Sequence, residues 1–218
     1  MKRQILAGVV ATMLMQSTAT SAEHLKSFSH AAELTSEAKT ILFQELELEK
    51  VPNSAHREVV CLAENIYFEA RGENFSAKAG VANVTRNRVE SKDFPNTFCD
   101  VVYEGPVRES WKTKGKDVAQ EDRVYYPRKH RCQFSWYCDG QRDIIWANYE
   151  KTGETIQGNA LAWRTSVQLA IWAAGYGEMT LKDNTRGALF YYNHNLVNPY
   201  WADSKEYIGI LGNHTFMK

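Results

Sequence analysis

Between residues 56 and 72 the apolar side chains Val59, Val60, Ala63, Ile66, Tyr67 and Ala70 recur at the i, i+3, i+4, i+7 spacing of a helix with one buried face. This run commits the centre of the chain to helix, and Gly72 suits its C-terminal cap. Asn74 or Ser76 can cap a second helix, with Ala77, Val81 and Val84 on one stripe and Arg86 and Arg88 beyond it. The clearest core helix is residues 161–174, where Trp163, Val167, Ala170, Ile171 and Ala174 share a face before Gly175. A short helix is expected over 97–103, after a turn at Pro95, and another over 143–151. Residues 105–131 are rich in Gly, Pro and charge and read as irregular. Residues 177–218 mix turns with short aromatic segments such as "ALFYYN". Strand alternation is weak throughout. The class is therefore mainly α, or α+β with a two- or three-stranded sheet at most.

The N-terminus gives the compartment. Met1, Lys2 and Arg3 form a positive start, and residues 5–15 are apolar but too short to span a bilayer. The small, polar "QSTATSA" follows, with Thr20 and Ala22 at −3 and −1 of a cut after Ala22. Residues 1–22 thus read as a secretory signal peptide. The expectation is export to the periplasm or extracellular wall, with no membrane span after cleavage. Residues 23–54 read as a helical arm or linker, with Leu34, Ala38, Ile41, Leu42, Leu46 and Leu48 among charges until Val51-Pro52-Asn53. Residues 55–218 read as one compact domain, expected to be monomeric.

Basic and acidic residues balance at 26 each, so no global charge points to nucleic acid or a membrane surface. Residues 107–131 hold eight Lys/Arg against four Asp/Glu, a solvated basic loop in preference to a site for an anionic polymer. Four cysteines in an exported chain imply two disulfides with three possible pairings. The favoured pairing is Cys132–Cys138, which would hold "CQFSWYC" as a rigid turn, with Cys61–Cys99 tying a helix to a later segment. No C-x-x-C pair occurs. His56, His130, His194 and His214 show no HExxH-like spacing, so no metal or cofactor is expected. There is no G-x-S-x-G, P-loop or G-x-G-x-x-G.

Glu69 stands apart from the other acids. At 100° per residue it lies at the flank of the apolar face, on the stripe of Leu62, where core meets solvent. Partial burial and the negative end of the helix dipole both disfavour its anion. A carboxylic acid still protonated near neutral pH can protonate a leaving-group oxygen, as glycoside cleavage requires. Glu64, Glu73 and Glu90 read as solvated surface residues, with a Glu73–Arg71 pair as the alternative for Glu73.

The blocks "CLAENIYFEARGE", "AGVANVTRNRV" and "DFPNTFCDVVY", then "CQFSWYCDG", "GALFYYN" and "GNHTF", resemble in order the cell wall hydrolase family of spore-cortex-lytic enzymes. The resemblance runs from about residue 55 to the C-terminus. Cys61, Cys99, Cys132 and Cys138 are similar to the pattern of its exported, cysteine-bearing branch. It implies a lysozyme-like, lytic-transglycosylase-like catalytic domain acting on the glycan strands of peptidoglycan, with Glu69 as catalytic glutamate. It also implies cleft residues at Gln133, Phe134 and Ser135, at Tyr191, Tyr192 and Asn193, and at His214. No peptidoglycan-binding repeat is recognisable in residues 23–54, which points to general wall remodelling or lysis and away from a spore role.

Direct hydrolysis normally needs a second carboxylate opposite the acid. Asp139, Glu178, Asp183 and Asp203 carry no motif and read as surface or turn residues. Muramic acid offers its own C6 hydroxyl as nucleophile, so one Glu can serve as acid and then base. The expected product ends are therefore 1,6-anhydromuramic, with a hydrolytic muramidase or glucosaminidase as alternative. For N-acetyl sugars, Gln133, Ser135 and Asn193 supply hydrogen bonds, and Tyr191, Tyr192 and Trp136 supply stacking faces. Phe134 and Phe190 read as core. The rivals are a zinc-type N-acetylmuramoyl-L-alanine amidase and a non-catalytic wall-binding module.

Overall fold

The computed structural model describes residues 33–34, 50–145 and 153–218; the signal segment and most of the 23–54 arm lie outside the described residues. The chain runs through β1 (Glu33–Leu34), α1 (His56–Ala70), α2 (Phe75–Glu90), α3 (Phe98–Val102), β2 (Val107–Glu109), β3 (Tyr125–Pro127), β4 (Ile144–Ile145), α4 (Gly153–Ala173), β5 (Phe190–Asn193), β6 (Tyr207–Leu211) and β7 (His214–Met217). It is mainly helical with small sheets, as expected.

Helix α1 is the axle. Ten of its fifteen residues are buried, so it is enclosed by neighbours and not laid on a surface. Val59, Leu62, Ala63, Ile66 and Tyr67 pack into one cluster with Val81 and Ala82 of α2 and Trp163, Val167, Ala170 and Ile171 of α4. Tyr67 meets Trp163 edge-on at 5.9 Å. The helix stops at Ala70 without a left-handed glycine: Arg71 keeps helical dihedrals, and the amide of Glu73 bonds to the carbonyl of Ala70. Gly72 therefore serves the turn and not the expected glycine cap. Asn74 caps α2, its Oδ1 accepting from the amide of Ala77 at 3.0 Å. Thr97 caps α3 in the same way, accepting from the amide of Asp100 at 3.1 Å.

Helix α4 starts well before residue 161, and Gly175 beyond its end is left-handed at φ 81°. β5, β7 and β6 form an antiparallel sheet in the order β5-β7-β6, in which Tyr191 opposes Phe216 and Asn193 opposes His214. This sheet docks on α2 at Gly80, where an added Cβ would lie 2.6 Å from the Phe216 ring. The absent side chain is what lets the sheet approach.

Three segments differ from their sequence reading. β2 and β3 pair as an antiparallel ribbon inside the stretch read as irregular. Glu33–Leu34, read as helix, pairs in parallel with Ile144–Ile145. The short helix expected over 143–151 begins as that strand, and its remainder lies outside the described residues. A two-residue apolar pair has no period, so nothing local separates helix from strand there. Both favoured disulfides are present: Cys61–Cys99 staples α1 to α3, and Cys132–Cys138 closes the loop before β4. Among the described residues no helix is long and apolar enough to cross a membrane.

Candidate active site

Glu69 lies in the last turn of α1, partly buried. Tyr191 of strand β5 reaches it, the phenol donating to Oε2 at 3.0 Å. Burial pushes the Glu69 carboxyl up to about 6, against the Tyr191 hydrogen bond and the positive charge of Arg88, which both favour the anion. Tyr191 is itself wedged between Phe134 at 6.5 Å, Phe216 at 5.7 Å and the edge of His214 at 5.2 Å. Burial and the Glu69 charge hold its phenol far above the ordinary range.

Arg88, in the last turn of α2, is the residue that sequence reasoning missed. It is only 5% exposed. Its Nε donates to the carbonyl of Leu189 at 2.7 Å. Its guanidinium lies 5.0 Å from the Phe134 ring, 5.2 Å from Phe94 and 5.9 Å from Phe190. With the Gln133 amide oriented oxygen-inward, that oxygen accepts from both terminal nitrogens at 3.2 Å. One cation thus ties helix α2, the disulfide-closed loop and the start of β5 together. The available signal was its spacing, seven residues after Val81 on the buried stripe of α2.

The other expected site residues divide. Gln133 and Ser135 are exposed at the rim of the loop, although Gln133 also serves Arg88. Tyr192 points to the opposite face of the sheet from Tyr191 and meets Trp201 edge-on at 5.8 Å. Asn193 uses its Oδ1 to accept from the amide of Asn195 at 3.0 Å, a turn contact. Trp136 differs from the expected exposed stacking face: it is 7% exposed, stacks on Phe68 at 4.6 Å and donates its indole N–H to Asn65 at 3.0 Å. It packs in the core, with one ring face on Phe68 and Tyr103 and Tyr137 edge-on to it. His214 is likewise 3% exposed, a buried neighbour of Tyr191 and not a cleft surface. Phe134 is core as read, and Phe190 is half-buried between Arg88 and Lys205.

Two glutamates read as solvated surface residues are engaged instead, one buried and one half-buried. Glu64 is 1% exposed; Tyr103 donates to its Oε2, and its Oε1 has no hydrogen-bond partner among the described residues. Burial pushes this carboxyl up to about 8. Glu73 does not pair with Arg71. It accepts from the backbone and side chain of Asn213 at 3.1 and 2.9 Å, clamping the β6–β7 turn to the α1–α2 turn. Glu90 is a surface residue, 4.0 Å from Arg86.

The four candidate second acids are all occupied or exposed elsewhere. Asp183 ties a loop through Thr185, Gly187 and Asn87, and Asp139 accepts from the amide of Gln141. Glu178 pairs with Lys50 at 2.6 Å, and Asp203 is exposed in a single 3-10 turn. His56 faces the Val51 carbonyl, His194 faces Thr215, and His130 occupies a left-handed turn position. Among the described residues no three His, Cys, Asp or Glu side chains converge as a metal site. A cavity of about 340 Å³ lined by Glu58, Asn96 and Tyr176 lies at the other end of α1, roughly 16 Å from Glu69 by helix rise.

The family profile described as Cell Wall Hydrolase matches residues 72–217, a span that begins just past Glu69. The spore cortex-lytic enzyme of Bacillus cereus is 26% identical over 170 residues, covering 77% of this chain and 47% of that protein. The chain thus spans about half the length of the curated relatives it matches. Among solved structures, the catalytic domain of the germination-specific lytic transglycosylase SleB of Bacillus anthracis is 27% identical, covering 77% of this chain and 100% of that one, with a TM-score of 0.47. The catalytic domain of the Bacillus cereus SleB protein is 25% identical, covering 78% and 96%, with a TM-score of 0.41.

Proposed function

This chain belongs to the cell wall hydrolase family, and from that premise we propose that it cleaves peptidoglycan glycan strands between N-acetylmuramic acid and N-acetylglucosamine, with Glu69 as the single acid and base. Protonated Glu69 gives its proton to the glycosidic oxygen, and the bond from that oxygen to the anomeric carbon breaks. The muramic C6 hydroxyl attacks the anomeric carbon, and the Glu69 carboxylate takes the hydroxyl proton. The products are a 1,6-anhydromuramic end and a free N-acetylglucosamine hydroxyl, with no water consumed and Glu69 restored.

The observation that carries this reading is the environment of Glu69: a partly buried carboxyl held near pH 6, with one phenol donating to it. Such a group exists in both protonation states near neutral pH, which a residue acting as acid and then base requires. The engagement of Asp139, Glu178 and Asp183 in contacts elsewhere favours internal attack over a two-carboxylate hydrolysis. Gln133, Ser135, Tyr191 and Asn193 are the proposed contacts to sugar beside Glu69, with Tyr192 proposed only for a sugar that reaches the other face of β5. The two disulfides favour action outside the cytoplasm.

Glu69→Gln should abolish turbidity clearing of purified cell walls while the protein still pellets with them. Clearing at the unaltered rate would remove Glu69 from the chemistry and leave a wall-binding or amidase reading in its place.

A further inference from the structure

We propose that the β2–β3 ribbon is a second wall-contact surface, which holds peptidoglycan by the carboxylates of its stem peptides while the glycan lies at Glu69. The inference rests on the peptidoglycan reading above and names the part of that polymer the ribbon takes.

Residues 107–131 hold eight Lys/Arg against four Asp/Glu, and the fold sorts them. Glu109 is paired with Arg123 at 2.7 Å. Asp117, Glu121 and Asp122 share the 110–124 loop between the two strands with Lys112, Lys114 and Lys116. What remains is Arg108, Arg128, Lys129 and Arg131, all exposed, on β2 and on the turn that follows β3. Residues 123–138 contain no Asp or Glu, and the acids that flank this surface in sequence, Glu104 and Asp139, are both half-buried. The whole basic excess of the segment is therefore gathered at one place.

The register sets a cation beside a ring. Arg108 lies directly opposite Tyr126, so their side chains share one face of the ribbon, and Glu109 with Tyr125 takes the other. Tyr126 is 40% exposed, and Trp111, just past β2, is 79% exposed. Exposed cations interleaved with rings suit a polymer that is both anionic and saccharide: the rings stack on apolar sugar faces, and the cations meet carboxylates. Peptidoglycan is such a polymer, because its stem peptides carry free carboxylates along the strand.

The surface is continuous with the candidate active site. The Arg128 amide donates to the Pro106 carbonyl at 2.8 Å, and the amides of His130 and Gln133 donate to the carbonyls of Cys138 and Glu104 at 2.9 Å each. Gly105 lies so close to the bridge that an added Cβ would sit 3.0 Å from Cα of Cys132. The ribbon is thus stitched to the disulfide-closed loop, whose Gln133 and Ser135 stand at the rim and whose Phe134 lies 6.5 Å from Tyr191. A wall polymer that continues from Glu69 along this loop meets the cations next.

Binding is read with the Glu69→Gln protein as parent, so that cleavage does not enter, as pelleting at low salt with peptidoglycan freed of phosphate polymers. Arg108→Gln, Arg128→Gln, Lys129→Gln and Arg131→Gln together should weaken binding on the order of tenfold. Lysine at the three arginine positions should keep it. The gap between parent and Gln-substituted protein should close in about 0.5 M salt, where exposed charges are screened. It should close as well on peptidoglycan whose carboxylates have been converted to neutral amides with a carbodiimide and methylamine. Trp111→Ala should weaken binding to both forms of the polymer, because stacking is indifferent to that charge.

Equal binding of the parent and Gln-substituted proteins overturns the inference. So does a loss that persists at high salt or on the amidated polymer, since that marks a distorted loop and not a lost ion pair. Trp111→Ala binding as well as the parent overturns the saccharide contact. If neither the parent nor the Gln-substituted protein pellets, the wall reading beneath the inference fails; if both pellet equally, the ribbon alone does.

Discussion

The phenol of Tyr191 donates to Oε2 of Glu69 at 3.0 Å, joining residues 122 positions apart. That one bond couples the last turn of the central helix to the C-terminal sheet. It depends on the close seat of Phe216 over Gly80, because β7 carries Phe216 directly opposite Tyr191. The seat of Phe216 over Gly80 thus helps to bring the sheet to the acid, beside the Glu73–Asn213 clamp and the Arg88–Leu189 bond, and two residues far apart in sequence meet.

In the proposed mechanism Glu69 must be protonated to begin the reaction, so activity should fall as pH rises through about 6. The Tyr191 hydrogen bond favours the anion. Tyr191→Phe should accordingly move that fall to higher pH and lower the maximal rate by about 10- to 100-fold, in line with the loss of about 1.5–3 kcal/mol for a hydrogen bond to a charged group. A pH series of clearing rates for the two proteins checks both the direction and the size.

Glu64 makes an independent prediction about stability. Folding lifts its carboxyl from 4.5 to about 8, mainly by burial, with Tyr103, Asp143 and Arg57 around it. Below 4.5 it is protonated in the folded and unfolded chain alike, and its neutral form is accommodated in full. As pH rises from there towards 8, the unfolded chain ionises first and stability is progressively lost. Glu64→Gln removes this loss, so the variant should gain on the parent protein across the window, by up to a few kcal/mol at about 1.4 kcal/mol per pH unit. Asp143, itself raised to about 6, titrates in the same window, so urea unfolding is compared in an Asp143→Asn background.

The two disulfides should separate stability from activity. Cys61–Cys99 spans 38 residues and Cys132–Cys138 only 6. By loop entropy, their loss should cost about 4 and about 2 kcal/mol respectively. The short bridge holds the loop whose Gln133 and Phe134 meet Arg88. Paired Cys→Ala replacement at 132 and 138 should therefore cost more activity than its modest fall in Tm suggests, and replacement at 61 and 99 the reverse. Thermal unfolding and clearing rates measured on the same samples decide this.

The helices were legible because their apolar residues repeat over several turns, and the Asn74 and Thr97 caps complete the pattern. Glu69 was legible as a carboxylate on the edge of such a repeat. Arg88 and Glu64 were hidden for one reason: each is charged and yet lies on a buried surface, and composition assigns charges to solvent. Their partners, the Leu189 carbonyl and the Tyr103 phenol, are 101 and 39 residues away, beyond any local pattern. Trp136 and His214, expected at the cleft, are buried, and their burial was hidden for the converse reason. An aromatic beside a cleft and one beneath it look alike until its other face is seen, and here Phe68 and Tyr191 cover them.

The central claim is that one carboxyl, Glu69, breaks glycan strands by internal attack. Mass spectrometry of the soluble fragments released from purified peptidoglycan tests it most directly. The unmodified protein should release fragments ending in 1,6-anhydromuramic acid, and Glu69→Gln should release none. Reducing muramic or glucosamine ends would contradict internal attack. Freed stem peptides, or an unchanged yield from Glu69→Gln, would contradict the assignment of Glu69 itself.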